Sequence, residues 1–252
     1  MRTEVSLPTP DGDARAFAFT PDGGAGPWPA AIIFMDAPAI RPALFEMGER
    51  LAQAGYFVLL PDLFWRAGPY DPPDIAAARA GDPEAVAVFQ KLRGSTSVEK
   101  QMIDAKAALD WLAQEPRAKA GKVGVTGYCM GGGIALRAAG TFPDRIAAAA
   151  SFHGGNQATD APDSPHLLAP KMKAKVLVAG ADEDRGFDDA QCARLDQALK
   201  DAGVDSAVGI WRGAKHGWVP TDMAVHNPEA AERHWRELIK LFDETLKEPV
   251  AA

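Results

Sequence analysis

Short apolar runs alternate along this chain with longer stretches of helical spacing. Six runs read as buried strands: Pro29–Asp36, Tyr56–Asp62, Lys122–Gly127, Ile146–Phe152, Ala174–Gly180 and Ser206–Trp211. Between them, residues 42–54 place Leu44, Met47 and Leu51 on one helical face and stop at Gly55. Residues 97–115 do the same with Met102, Ile103, Ala107, Leu109 and Leu112. Further helices are predicted over 134–140, 188–202 and 228–246. At the start, residues 3–7 and 14–19 flank Pro10-Asp11-Gly12-Asp13, a strong turn signal, and read as an antiparallel hairpin. Two segments break the pattern. Residues 63–95 carry Phe64, Trp65 and Tyr70, then Pro-rich and Ala-rich sequence; residues 156–171 read as a loop. Strands alternating with helices predict an α/β architecture: a mostly parallel sheet, an antiparallel N-terminal hairpin and helices on both faces. No linker or internal repeat interrupts it, so 1–252 reads as a single domain.

Composition narrows the function classes. A hydrophobic content of 47% with 24% charged residues is ordinary for a soluble globular chain of 252 residues. The net charge of -7 argues against nucleic acid or an anionic membrane as partner. No apolar run approaches membrane-spanning length, and the N-terminus lacks the apolar core of a signal peptide. Two cysteines imply no disulfide framework, which fits a reducing, cytoplasmic setting. Cys192 sits in a predicted helix and reads as a small buried residue. No Gly-x-Gly-x-x-Gly follows the first parallel strand, so no dinucleotide cofactor is expected. The acids at 182–184 and 188–189 match no metal-binding loop and read as a solvated turn and a helix start. No cofactor and no metal are expected.

Candidate chemistry begins at Gly127-Tyr128-Cys129-Met130-Gly131. A Gly-x-Cys-x-Gly between a strand and a helix is a nucleophile elbow with cysteine as nucleophile. The turn puts Cys129 at a helix N-terminus, where free N–H groups and the helix dipole favour a thiolate. It also aims the Met130 N–H at an oxyanion hole. Functional residues of such sheets gather beyond the carboxyl ends of the strands. Asp182 and His216 follow predicted strands there, giving the order nucleophile, acid, histidine expected of an α/β-hydrolase fold. Asp184 is the alternative acid. Taken singly, Asp182 also reads as a helix cap and His216 as a loop histidine.

With these residues in place the chain resembles the dienelactone hydrolase family, α/β-hydrolases with a cysteine nucleophile. Gly127-Tyr128-Cys129-Met130-Gly131-Gly132, Gly180-Ala-Asp182 and Gly213-Ala-Lys-His216-Gly217 carry the likeness; Pro61-Asp62-Leu63 and Ala-Ala-Glu-Arg-His-Trp at 230–235 add to it. The resemblance implies opening of a lactone or cleavage of a small carboxylic ester through a Cys129–His216–Asp182 triad and an acyl-enzyme. It implies Ala37 as the second oxyanion donor. It also implies Asp36, where the family commonly has glutamate, as the group that helps activate the thiol. The family's arginine shortly after the histidine is absent: the sequence there is His216-Gly-Trp218-Val-Pro220. Arg66 and Arg79 are the candidates to replace it. His153 is expected to line the pocket or anchor its loop. Tyr128, Trp218, Phe64, Trp65 and Tyr70 read equally as pocket wall or core. A general carboxylesterase or thioesterase on the same triad, and a non-catalytic scaffold with a redox-sensitive Cys129, are the alternatives. The partner expected is a small-molecule substrate, with the chain a monomer or small homo-oligomer.

Overall fold

The computed structural model describes residues 1–247, the Arg79 side chain excepted. Residues 248–252, included in the expected domain, lie outside the described residues. Eight strands form one sheet: β1 (Arg2–Thr9), β2 (Gly12–Phe19), β3 (Ala30–Phe34), β4 (Phe57–Pro61), β5 (Val123–Tyr128), β6 (Ile146–Phe152), β7 (Lys175–Ala181) and β8 (Ser206–Trp211). Their order is β1-β2-β4-β3-β5-β6-β7-β8. The hairpin of β1 and β2 closes with Thr9 opposite Gly12, and β2 pairs antiparallel with β4. Every pairing from β4 through β8 is parallel. The runs of β3, β4 and β5 are buried at every position, as a parallel sheet covered on both faces requires.

Seven α-helices accompany the sheet: α1 (Pro42–Gln53), α2 (Ile75–Arg79), α3 (Pro83–Gly94), α4 (Val98–Leu112), α5 (Met130–Thr141), α6 (Asp189–Asp201) and α7 (Pro228–Leu246). α4 and α5 are neighbours on one face. α1 and α7 are joined on the other by a salt bridge between Arg50 and Glu232. α7 buries Ala231, His234, Trp235, Leu238, Leu241 and Phe242, the helical spacing read from the sequence. Its close approach depends on Gly124, where a Cβ would come within 2.7 Å of the Phe242 ring.

Strand order creates the site. From β3 the chain passes through α1 to β4 on one side, then returns across β3 to β5 on the other. The carboxyl ends of β3 and β5 therefore lie side by side, with Phe34 opposite Gly127. This is a topological switch point, where open parallel sheets bind ligands.

Three segments differ from the sequence reading, one of them the expected loop 156–171, which holds a 3₁₀ helix over Pro165–Lys171. α5 begins at Met130, four residues before Ile134, because Gly131, Gly132 and Gly133 are helical. These glycines serve approach rather than chain reversal. A Cβ on Gly131 would sit 2.1 Å from the Phe34 carbonyl oxygen, and one on Gly132 would sit 2.4 Å from Ser151 Oγ. The irregular segment 63–95 holds one turn of 3₁₀ helix (Trp65–Ala67) and then α2 and α3. Asp74 and Asp82 cap these helices by accepting from the Ala77 and Ala85 N–H groups.

Candidate active site

Cys129 links β5 to α5 at φ 53°. That conformation is strained for a residue with a Cβ and lifts the thiol out of the turn. Gly127 makes the strain tolerable: a Cβ there would lie 1.9 Å from the Gly131 carbonyl oxygen. The Cys129 N–H meets the Phe152 carbonyl at 3.1 Å and His153 Nδ1 at 3.1 Å. Unlike α2, α3, α4, α6 and α7, α5 has no side-chain cap at its N-terminus.

His216 leaves the loop after β8 and lines the same cavity as Cys129. Its Nδ1 lies 2.6 Å from Asp184 Oδ2. Burial alone would lower the imidazole, but Asp184 and Cys129 outweigh it and push His216 up to about 10. An imidazolium beside the sulfur, at a helix N-terminus, is the setting that activates a cysteine nucleophile. Burial would raise Asp184, yet His216 and the Gly186 N–H, donating at 2.8 Å, hold its carboxyl below the usual range.

The acid therefore corrects the sequence reading. Asp182 does not bond His216. Its Oδ1 accepts from Arg212 at 3.0 Å and its Oδ2 from the Gly213 N–H at 2.9 Å. β7 ends at Ala181, so residue 182 still runs alongside the turn that follows β8. The chain then reverses at Glu183, φ 54°, and this reversal swings Asp184 over the imidazole.

Asp36 follows β3, faces the same cavity and is 2% exposed. Both of its oxygens accept from Arg41, at 2.6 and 3.0 Å; burial nonetheless raises the carboxyl above its ordinary value, against the lowering effect of Arg41. Arg41 also donates to both oxygens of Asp222, at 2.6 and 3.1 Å. Burial would lower the guanidinium; Asp36 and Asp222 reverse this and hold it above its ordinary value. The sequence reading missed Arg41 and Asp222. Their partners lie 181 residues apart, and no local pattern marks such a pair.

The remaining expectations divide. Cys129, His216, His153, Asp36 and Ala37 line one cavity of about 400 Å³. His153 is fully buried, and burial with the neighbouring His216 lowers it well below its usual value, so it is neutral. Tyr128 is not a pocket residue: it is fully buried, stacks on Phe152 and shares a 2.8 Å hydrogen bond with His234 Nε2. Trp218 lies behind His153, with ring centres 4.9 Å apart, and is fully buried. Trp65 and Arg66 bond Asp104 at 3.2 and 2.8 Å, and Arg66 also pairs with Asp11; both stand off the cavity. Phe64 and Tyr70 pack edge to face, and Tyr70 donates to Asp62 at 2.6 Å. The Arg79 side chain lies outside the described residues. The cavity's other wall, unassigned in the sequence, is Ile75, Ala78, Val86, Phe89 and Gln90 of α2 and α3, with Met223.

A model described as the dienelactone hydrolase family matches residues 14–246. The chain belongs to this family. Among relatives, a Synechocystis sp. protein named "Putative carboxymethylenebutenolidase" is 27% identical, over 88% of each chain. The structure resembles that of a "Putative Dienelactone Hydrolase" of Klebsiella pneumoniae at TM-score 0.83 and 23% identity, over 97% of this chain and 98% of that one. It also resembles P91, a dienelactone hydrolase-like promiscuous phosphotriesterase from metagenomic libraries, at TM-score 0.78 and 23% identity, over 97% and 98%. Membership makes the chain a hydrolase with the α/β-hydrolase fold. Among the described residues no helix is long and apolar enough to cross a membrane.

Proposed function

We propose that this dienelactone hydrolase family member cleaves carboxylic esters or lactones through a Cys129–His216–Asp184 triad and a thioester acyl-enzyme. One observation carries the reading: His216, held by Asp184 at 2.6 Å, shares with Cys129 a cavity of about 400 Å³. The thiolate attacks the acyl carbon, and the carbonyl electron pair moves to oxygen. The oxyanion lies against the Met130 and Ala37 N–H groups. As the tetrahedral adduct collapses, His216 gives its proton to the departing alkoxide, which for a lactone stays tethered to the acyl group. The neutral imidazole then takes a proton from water. The hydroxide attacks the thioester and the thiolate leaves. Asp184 holds the ring in the productive tautomer and stabilises the imidazolium. The printed name of the Synechocystis relative, a carboxymethylenebutenolidase, points to the same reaction class.

The test is hydrolysis of p-nitrophenyl acetate and of an uncharged butenolide lactone by the wild type and by Cys129→Ala. Loss of at least about a thousandfold in kcat with either substrate is expected. Hydrolysis that survives the substitution would sink the triad.

A further inference from the structure

We infer that the cavity selects uncharged esters with an apolar chain, and that it rejects substrates bearing a carboxylate. The inference rests on the triad reading for its chemistry, but its warrant is the wall of the cavity. Opposite Cys129 and His216 the wall is Ile75, Ala78, Val86, Phe89 and Met223, with Ala37 and Pro38 beside them. A volume of about 400 Å³ is at the small end for ligand sites. It suits a medium-length alkyl or acyl chain, whose burial beside these side chains removes apolar surface from water.

Among the described lining residues there is no lysine or arginine. His153 is neutral, and Nδ1 of His216 is taken by Asp184. Asp36, an acidic side chain, lines the cavity. The Arg41 guanidinium, partner of the lining residue Asp36, is already saturated. Nε of Arg41 donates to Asp222, Nη1 to Asp36 and the Ala39 carbonyl, and Nη2 to Asp36 and Asp222. Those contacts use all the N–H donors a guanidinium has. Its charge is balanced by two carboxylates. A third, arriving on a substrate, would be buried unpaired beside Asp36, which is strongly unfavourable.

Two measurements test this, one independent of turnover. The first compares Cys129 alkylation by N-hexyl iodoacetamide, iodoacetamide and iodoacetate in a Cys192→Ser background, each rate normalised to that of glutathione. The hexyl reagent is expected at least about tenfold faster than iodoacetamide, and iodoacetate at least about tenfold slower. Iodoacetate matching iodoacetamide would overturn the inference whether or not the protein hydrolyses esters. The second compares kcat/KM for p-nitrophenyl hexanoate with that for the p-nitrophenyl half-ester of adipic acid, which replaces the terminal methyl by a carboxylate. A preference of at least about tenfold for hexanoate is expected. Comparable turnover of the half-ester that disappears in Arg79→Ala would overturn the inference and assign the clamp to Arg79. Asp222→Ala frees two donors of Arg41, and should raise the half-ester's relative rate several-fold; an unmoved ratio would overturn the assignment of Arg41 as a neutralised clamp. Absence of any Cys129-dependent turnover would sink the triad reading alone, with the alkylation ratios still deciding the selectivity of the cavity.

Discussion

The two walls of the cavity are built differently. The floor comes from strand ends at the switch point: Cys129, Asp36 and His153 each follow a buried parallel strand, and backbone contacts as close as 1.9 Å to a notional Cβ fix the turn at Gly127. The cap comes from α2 and α3, short helices with half-exposed residues that meet the floor through apolar side chains. The floor tolerates almost no substitution because backbone meets backbone there. The cap presents replaceable side chains. Reaction type therefore resides in the floor, and substrate choice in the cap, as is usual for loops and short elements carried on a rigid sheet.

The largest effect should come from the floor. Asp184→Asn removes the carboxylate on His216 Nδ1, and kcat is expected to fall by about three orders of magnitude. Asp182→Asn, two residues away, should stay within about threefold of wild type. Equal losses would erase the distinction between the two acids. Asp36→Ala strips Arg41 of its buried bidentate partner and should cost about 3 kcal/mol of stability, read from denaturant unfolding. In the cap, Phe89→Ala should lower kcat/KM for p-nitrophenyl hexanoate by about tenfold and leave p-nitrophenyl acetate nearly unchanged. Equal losses on both substrates would mean that the cap also shapes the floor.

The smallest effect is a pH dependence of stability. Folding raises His216 from an ordinary 6.5 to about 10, so the native state binds its proton more tightly than the unfolded chain does. Its contribution is complete below pH 6.5 and is lost as pH rises towards about 10. Unfolding midpoints across that window should fall more steeply in wild type than in His216→Gln.

Much of this was legible in the chain itself. The six apolar runs and the helical spacings gave the sheet and its covering helices, since a buried strand must be apolar on both faces and a covering helix on one. Cys129, His216 and His153 were expected at the site because strand ends carry it in such sheets and the glycines mark the elbow, and Ala37 from the resemblance alone; all four line one cavity. Tyr128 and Trp218 were not decided, because an aromatic beside a site reads the same whether it faces the cavity or the core.

What the sequence determined by itself was thus the order of elements and the candidates for nucleophile and histidine, both encoded locally. Only the tertiary structure decided between Asp182 and Asp184, because a single reversal at Glu183 sets which carboxylate reaches the ring. Only the tertiary structure joined Asp36, Arg41 and Asp222, whose pairing spans most of the chain. And only it turned the irregular segment 63–95 into an apolar wall, since α2 and α3 gain their meaning from the cavity they cover.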